Sequence, residues 1–263
     1  MLQKLINIGA NSLKRRNMPV MIGKVMTRLK ERSAANDSAV ATQWAAQHAE
    51  SLEDFVTAMN ASLWQETQGA CEKITQAAQA KLDALGMDLG GGGHYPLLYF
   101  LTRHLQPEII VETGVAAGWS SQAILCALKD NDQNGHLYSS DFPYFRYKNP
   151  EKYVGYVVDE DLKQNWSLFI DGDQNNLPQI IKAIDKPVAL FHYDSDKSVE
   201  GRNFAYDLVA PKLSDNAVVI FDDIQDNLHF RDFVAKHEMP FRIFEFEGKY
   251  IGLTGPFFNH ENK

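Results

Sequence analysis

Two short stretches concentrate groups able to do chemistry. Residues 189–202, ALFHYDSDKSVEGR, leave an apolar run and deliver Asp194, Asp196 and Lys197 within four positions. Residues 216–223, NAVVIFDD, end on Asp222 and Asp223. Asp194 and Asp222 lie 28 residues apart, close to one strand–helix–strand unit of about 30 residues. Their strands are expected to be neighbours, with Asp194, Asp222 and Asp223 converging at one sheet edge. Converging carboxylates lose solvation and repel, so one is driven towards protonation unless a counter-charge is present. A hard divalent cation supplies it, and all-oxygen ligands favour Mg2+, Mn2+ or Ca2+ over zinc. Lys197 is the candidate base: a nearby cation lowers a lysine from its ordinary pKa of about 10.4. His192 shares a strand side with Asp194 and is a second candidate base, or else a hydrogen-bonded core histidine. Solvated turn acids with Lys197 as their salt-bridge partner are the plainer alternative for the whole group.

Three motifs upstream point to a ligand of another kind. VETGVAAGWSS, residues 111–121, places Gly114 and Gly118 where the main chain can pass close to a ligand before a helix opens. A helix N-terminus offers free N–H groups to anionic or polar groups. The spacing is not G-x-G-x-x-G, so a dinucleotide fingerprint is not met, and a simple turn is the alternative. Asp141 follows Glu112 by 29 residues. An acid at the end of a second strand can accept two ribose hydroxyls, or cap a helix before Pro143. In IDGDQNNLPQI, residues 170–180, Asp173 and Gln174 stand where an adenine edge could be bonded, while Asp171 and Asn175 suit a turn. LGGGGH, residues 89–94, reads as a flexible joint. No strand precedes it and no Lys-Ser/Thr follows, so it does not read as a phosphate loop.

The elements that must position these residues follow from periodicity. Apolar runs at 108–114, 135–141, 166–173, 187–196 and 216–223 alternate with helical stretches such as 121–129. That pattern predicts an α/β fold, a Rossmann-like, doubly wound, mostly parallel sheet. Residues 241–255, two β-rich runs around Glu247-Gly248-Lys249, add an antiparallel C-terminal hairpin. Helical spacing over 18–32, over 39–63 and on to about Leu85 predicts an N-terminal helical extension, residues 1–90, before the α/β domain at 91–263. His48 falls on an apolar stripe and reads as a core histidine.

With 263 residues, 44% of them hydrophobic, the chain can bury a sizeable core. Two cysteines, Cys71 and Cys126, exclude a disulfide framework and fit a reducing, cytoplasmic setting. The net charge of −8 is uneven: residues 1–36 carry eight Lys or Arg against one acid, which leaves −15 for the remainder. The acidic body argues against nucleic acid as a partner. The basic end could meet a membrane surface, an acidic protein or a second copy of the chain.

ETGVAAGWSS, Asp141, DGDQNNLPQI, YDSDKS and IFDDI together resemble the class I S-adenosylmethionine-dependent methyltransferases. The resemblance is narrowest to the metal-dependent O-methyltransferases of the catechol and caffeoyl-CoA type and to antibiotic-sugar O-methyltransferases, and covers roughly residues 95–255. It implies S-adenosylmethionine as cofactor, Mg2+ or a similar ion, and a small-molecule or glycoside acceptor. Glu112, Gly114 and Gly118 would then line the methionine and ribose of the cofactor. Ser120 or Ser121 would bind its carboxylate, Asp141 its ribose, and Asp173 and Gln174 its adenine. Asp194, also beside the cofactor, would bind the metal with Asp222 and Asp223, and Lys197 would be the base. Asp223 departs from the Asn usual in the family. The segment 142–165, with Tyr144, Phe145 and Tyr147 as an aromatic acceptor wall, has no counterpart in the small O-methyltransferases. A cephalosporin-hydroxylase-like relative, a metal-free N-methyltransferase and a non-catalytic partner in a biosynthetic complex are the competing readings.

Overall fold

The computed structural model describes residues 2–12, 35–131 and 134–260. Strands β1 (Ile109–Thr113), β2 (His136–Ser140), β3 (Trp166–Phe169), β4 (Val188–Tyr193), β5 (Leu213–Phe221), β6 (Phe241–Phe246) and β7 (Lys249–Thr254) form one sheet. Its order is β3-β2-β1-β4-β5-β7-β6. The first five are parallel, and β7 runs antiparallel between β5 and β6. The β6–β7 hairpin turns on Glu247 and Gly248, at φ +50° and +76°, the backbone a tight primed turn requires. Winding reverses between β1 and β4. The crevice beyond their carboxyl ends is therefore the topological switch point, where open α/β sheets hold ligands.

The two sheet faces have separate cores. Helices α3 (Leu52–Leu85), α4 (Tyr95–Leu105) and α5 (Trp119–Asp130) cover one face, packing Leu63, Leu97, Phe100 and Ile124 on Ile110, Leu190 and Ile220. Helices α6 (Asp173–Ala183), α7 (Val199–Val209) and α8 (His229–Lys236) cover the other, packing Ile180, Val209 and Phe230 on Val111, Phe191 and Phe221. Side chains alternate between faces along a strand. Following the first face towards the carboxyl ends, Ile110 gives way to Glu112, Leu190 to His192 and Asp194, and Ile220 to Asp222. The face that holds the core thus becomes ionisable over its last turn of pleat.

The N-terminal helices are α1 (Leu2–Ser12), α2 (Ala35–His48) and α3. The helix predicted over 39–63 is divided: the chain breaks after His48, and Ser51 starts α3 by accepting the Asp54 N–H at 3.2 Å. This local cap outcompetes the continuous apolar stripe. A second irregularity falls at Asn60, at φ −167°, whose side chain caps the Leu63 N–H. His48 is exposed, bonded through Nδ1 to the Trp44 carbonyl, so its expected place in the core is corrected. The break has a use: Ala49 bridges Ile243 and Glu50 donates to the Ile243 carbonyl at 2.9 Å, covering the outer sheet edge. The helix predicted over 18–32 lies outside the described residues, as does most of the basic 1–36 segment. Among the described residues no helix is long and apolar enough to cross a membrane.

Candidate active site at the carboxyl ends of β1, β4 and β5

The sheet ladder continues one residue past its strands. The Asp194 N–H donates to Thr113 O and the Asp222 N–H to Tyr193 O, each at 2.9 Å. Main-chain bonds therefore fix both carboxylates side by side. One donor atom each from His192, Asp194 and Asp222 lies within 4.8 Å of the others. Asp223, the third aspartate of the expected ligand set, is not part of this convergence. Its backbone turns left-handed at φ +50°, and its carboxylate pairs with Lys197 Nζ at 2.9 Å and Lys249 Nζ at 3.2 Å. Lys197 also bonds Asp194. The side chains of Lys197 and Asp194 keep 27% and 22% exposure, enough to meet a bound molecule, whereas His192 is buried.

These placements set the charges. Burial and the neighbouring Asp222 raise Asp194, against the pull of Lys197. Burial would raise Asp222 too, but His192 and Lys197 overcome it and hold Asp222 below the usual range. Burial works to lower Lys197; Asp194 and Asp223 outweigh it, so the ammonium is held above its ordinary pKa. Burial likewise pulls His192 down, and Asp222 and Glu112 on either side reverse it, to about 10.

At the β1–β2 end the same residue types are used differently. Glu112 is fully buried and accepts hydroxyl bonds from Ser120 and Ser121 at 2.6 Å and Ser139 at 2.7 Å. Its carboxylate is enclosed by the fold, and the hydroxyls of Ser120 and Ser121 point to it. What the start of α5 retains for a ligand is its first-turn N–H groups and the buried indole Nε1 of Trp119, which has no partner. Asp141 stands at the end of β2 and accepts from the Ala116 N–H at 2.7 Å and the Phe142 N–H at 2.5 Å. These bonds set the carboxylate against the loop between Gly114 and Gly118, the place expected of a ribose-binding acid. Asp173 accepts from Ser140 at 2.5 Å and also from Ser195. Gln174 is exposed.

The glycine segment is more than a joint. A side-chain carbon on Gly92 would overlap Trp119, and one on Gly93 would overlap Asp222 Oδ2. Residues 91–93 instead run as main chain along a pocket of 280 Å³ that Asp194, Asp222, His94, Phe246, Glu247 and Lys249 also line. The signal was in the sequence: glycines also serve close approach, and strain-free turning was only one of their uses. Sequence reasoning also missed Arg202, fully buried, which donates at 2.9 Å to the carbonyls of both Asp222 and Asp223. The aromatic wall expected from Tyr144 and Tyr147 is tied down: their hydroxyls bond Leu89 O at 2.6 Å and Asp88 O at 2.7 Å, and Phe145 is buried. Asn7 and Asn11 of α1 donate to the carbonyls of Phe145, Arg146 and Tyr147 on the same segment.

The fold is of the Rossmann-like kind that S-adenosylmethionine-dependent methyltransferases share. Residues 111–224 match the sequence profile of a family described as a methyltransferase domain, the stretch from β1 to just past the two aspartates of β5. Among solved structures, the chain is similar to the O-methyltransferase TomG from Streptomyces achromogenes, involved in tomaymycin synthesis and crystallised with SAM. That likeness has a TM-score of 0.54 at 18% identity, covering 69% of this chain and 86% of that one. An O-methyltransferase from Bacillus cereus in complex with SAH gives 0.54 at 13% identity, over 70% and 90% of the two chains. Cofactor-bound Rv0187 from MTB gives 0.55 at 12%, over 70% and 90%. At such identities the likeness is one of fold. No curated protein sequence matches the chain.

Proposed function

We propose that the protein transfers a methyl group from S-adenosylmethionine to a hydroxyl of a small molecule or sugar, assisted by a divalent ion held at Asp194 and Asp222. The observation that carries this reading is the convergence of Asp194 and Asp222 on the 280 Å³ pocket at the switch point, with Lys197 bonded to Asp194. The O-methyltransferases among the similar folds support the choice of oxygen as acceptor. In this reading residues 91–263 hold the cofactor and the helices of 1–90 form an added layer. An ion at this site would acidify the acceptor hydroxyl and neutralise the paired carboxylates.

The remaining work falls to the chain's own residues. The Gly114–Gly118 loop, the first turn of α5 and Asp141 orient the cofactor, because a sulfonium is already activated and mainly needs an in-line partner. Lys197 Nζ bonds the Asp194 carboxylate at the pocket's edge of the sheet and takes the acceptor's proton once its own ammonium has been released. That release is favoured when the negative field of Asp194 is neutralised. A diol on a sugar or phenolic ring is the acceptor class that suits such a site. Asp223, itself paired with Lys249, holds Lys197 in place, and the main chain of residues 91–93 lines the pocket.

A metal-free reading draws on one observation: His192 wedged between Glu112 and Asp222 places a positive group inside the protein. Calorimetry with S-adenosylmethionine, with and without Mg2+ or Mn2+, separates the two, since a metal effect on cofactor or acceptor binding is expected only of the first. With an identified acceptor, Lys197→Ala and Asp222→Ala each lower turnover by about 10³-fold or more while cofactor affinity changes little. Full activity in either variant removes the mechanism, and no cofactor binding at all leaves a non-catalytic partner.

A further inference from the structure

We infer that His192 is itself a ligand of the ion, through Nε2, and that the centre therefore takes a nitrogen-binding transition ion such as Mn2+, Fe2+ or Co2+ in preference to Mg2+ or Ca2+. This rests on the metal reading above and specifies it. His192 occupies the middle of the site, its neighbours fixed by the sheet: Glu112 beside it on β1 and Ile220 beside it on β5, one pleat before Asp222. The ring is fully buried, yet neither nitrogen has a hydrogen-bond partner. Nδ1 lies 3.7 Å from Glu112 Oε1 and Nε2 lies 3.6 Å from Asp222 Oδ2, both beyond hydrogen-bond length. A buried nitrogen without a partner is costly, and this one is aimed at the two carboxylates with which it converges.

The far side of the ring completes the pattern. Histidines that bind metals nearly always present their other nitrogen to a carboxylate or carbonyl, which fixes the tautomer and the ring plane. Glu112 is in that position, and hydroxyls of Ser120, Ser121 and Ser139 fix it in turn. The absence of a side chain at Gly93 leaves room on the Nε2 side, where an added carbon would come within 3.3 Å of that nitrogen. One imidazole with two carboxylates is a donor set that Mn2+ and its heavier neighbours accept, whereas Mg2+ and Ca2+ favour oxygen alone.

The test uses the full-length protein loaded with Mn2+ or Mg2+, with ion content by equilibrium dialysis and pulsed EPR on the Mn2+ form. Expected are Mn2+ binding at least about 10-fold tighter than Mg2+ and nitrogen modulation in the EPR signal. The modulation changes frequency when the histidines carry 15N. His192→Gln weakens Mn2+ by about 10-fold or more, shifts Mg2+ much less, and abolishes the modulation. The 15N experiment needs no variant, so it decides the matter even if His192→Gln does not fold. Bound Mn2+ without nitrogen modulation overturns the inference and leaves the aspartate site standing. Failure of both ions to bind overturns the inference and the metal reading together.

Discussion

The carboxyl ends of β1 and of β4–β5 carry the same kinds of residue and use them in opposite ways. At β1, Glu112 takes three serine hydroxyls, all from within the fold. At β4 and β5, Asp194, Asp222 and His192 converge with two ring nitrogens left without partners, and a pocket opens on them. A buried polar group that the fold satisfies is architecture; one that the fold leaves wanting points to a ligand. The difference is one of supply. Helix α5 begins with Ser120 and Ser121 directly above Glu112, whereas the turns above Asp194 and Asp222 bring Lys197 and glycine main chain instead.

Substitutions can break or sharpen this contrast. The largest effect on folding is expected at Glu112→Gln, which leaves His192 with a single carboxylate neighbour and breaks the hydroxyl cluster. A loss of about 3–5 kcal/mol in chemical denaturation is expected, against a much smaller loss for Asp222→Asn. Equal losses would erase the distinction between the two ends. Gly93→Ala comes next. The added carbon meets Asp222 Oδ2, so ion affinity falls by about 10-fold or more, the cost of displacing a site's supporting geometry, while the melting temperature moves little. Unchanged ion uptake would show that Asp222 is not where the ion sits. The smallest effect is expected at Ser121→Ala, about 1 kcal/mol of stability for one hydroxyl bond, with S-adenosylmethionine affinity by calorimetry within about twofold of the parent. A large loss of cofactor affinity there would restore the serine to the ligand side.

The fold was legible because its signals are periodic. Apolar runs ending in Glu112, Asp141, Asp173, Asp194 and Asp222 mark strand ends, and a spacing of 28 residues made neighbours of the strands bearing Asp194 and Asp222. Which acid would face which partner was not legible. Asp223 and Asp222 are adjacent in sequence, yet a left-handed turn sends one towards two lysines and the other towards His192. Ser120 and Ser121 follow a glycine loop and read as ligand groups, because the sequence does not show that Glu112 lies one turn beneath them. His192 could be placed on the side of Asp194 by alternation, but its second carboxylate comes from a strand 80 residues earlier in the chain. His48 and the break after it turn on a serine cap that outweighs the apolar stripe.

The pocket floor at residues 91–93 is backbone, and its opposite rim is the tip of a two-stranded hairpin carrying Phe246, Glu247 and Lys249. A side chain added at Gly92 would collide with Trp119 and one at Gly93 with Asp222, whereas hairpin tips accept new side chains readily. Divergence among descendants of this chain would then concentrate at the rim, and under the proposed function acceptor choice would drift there while the surroundings of Asp222 stay fixed.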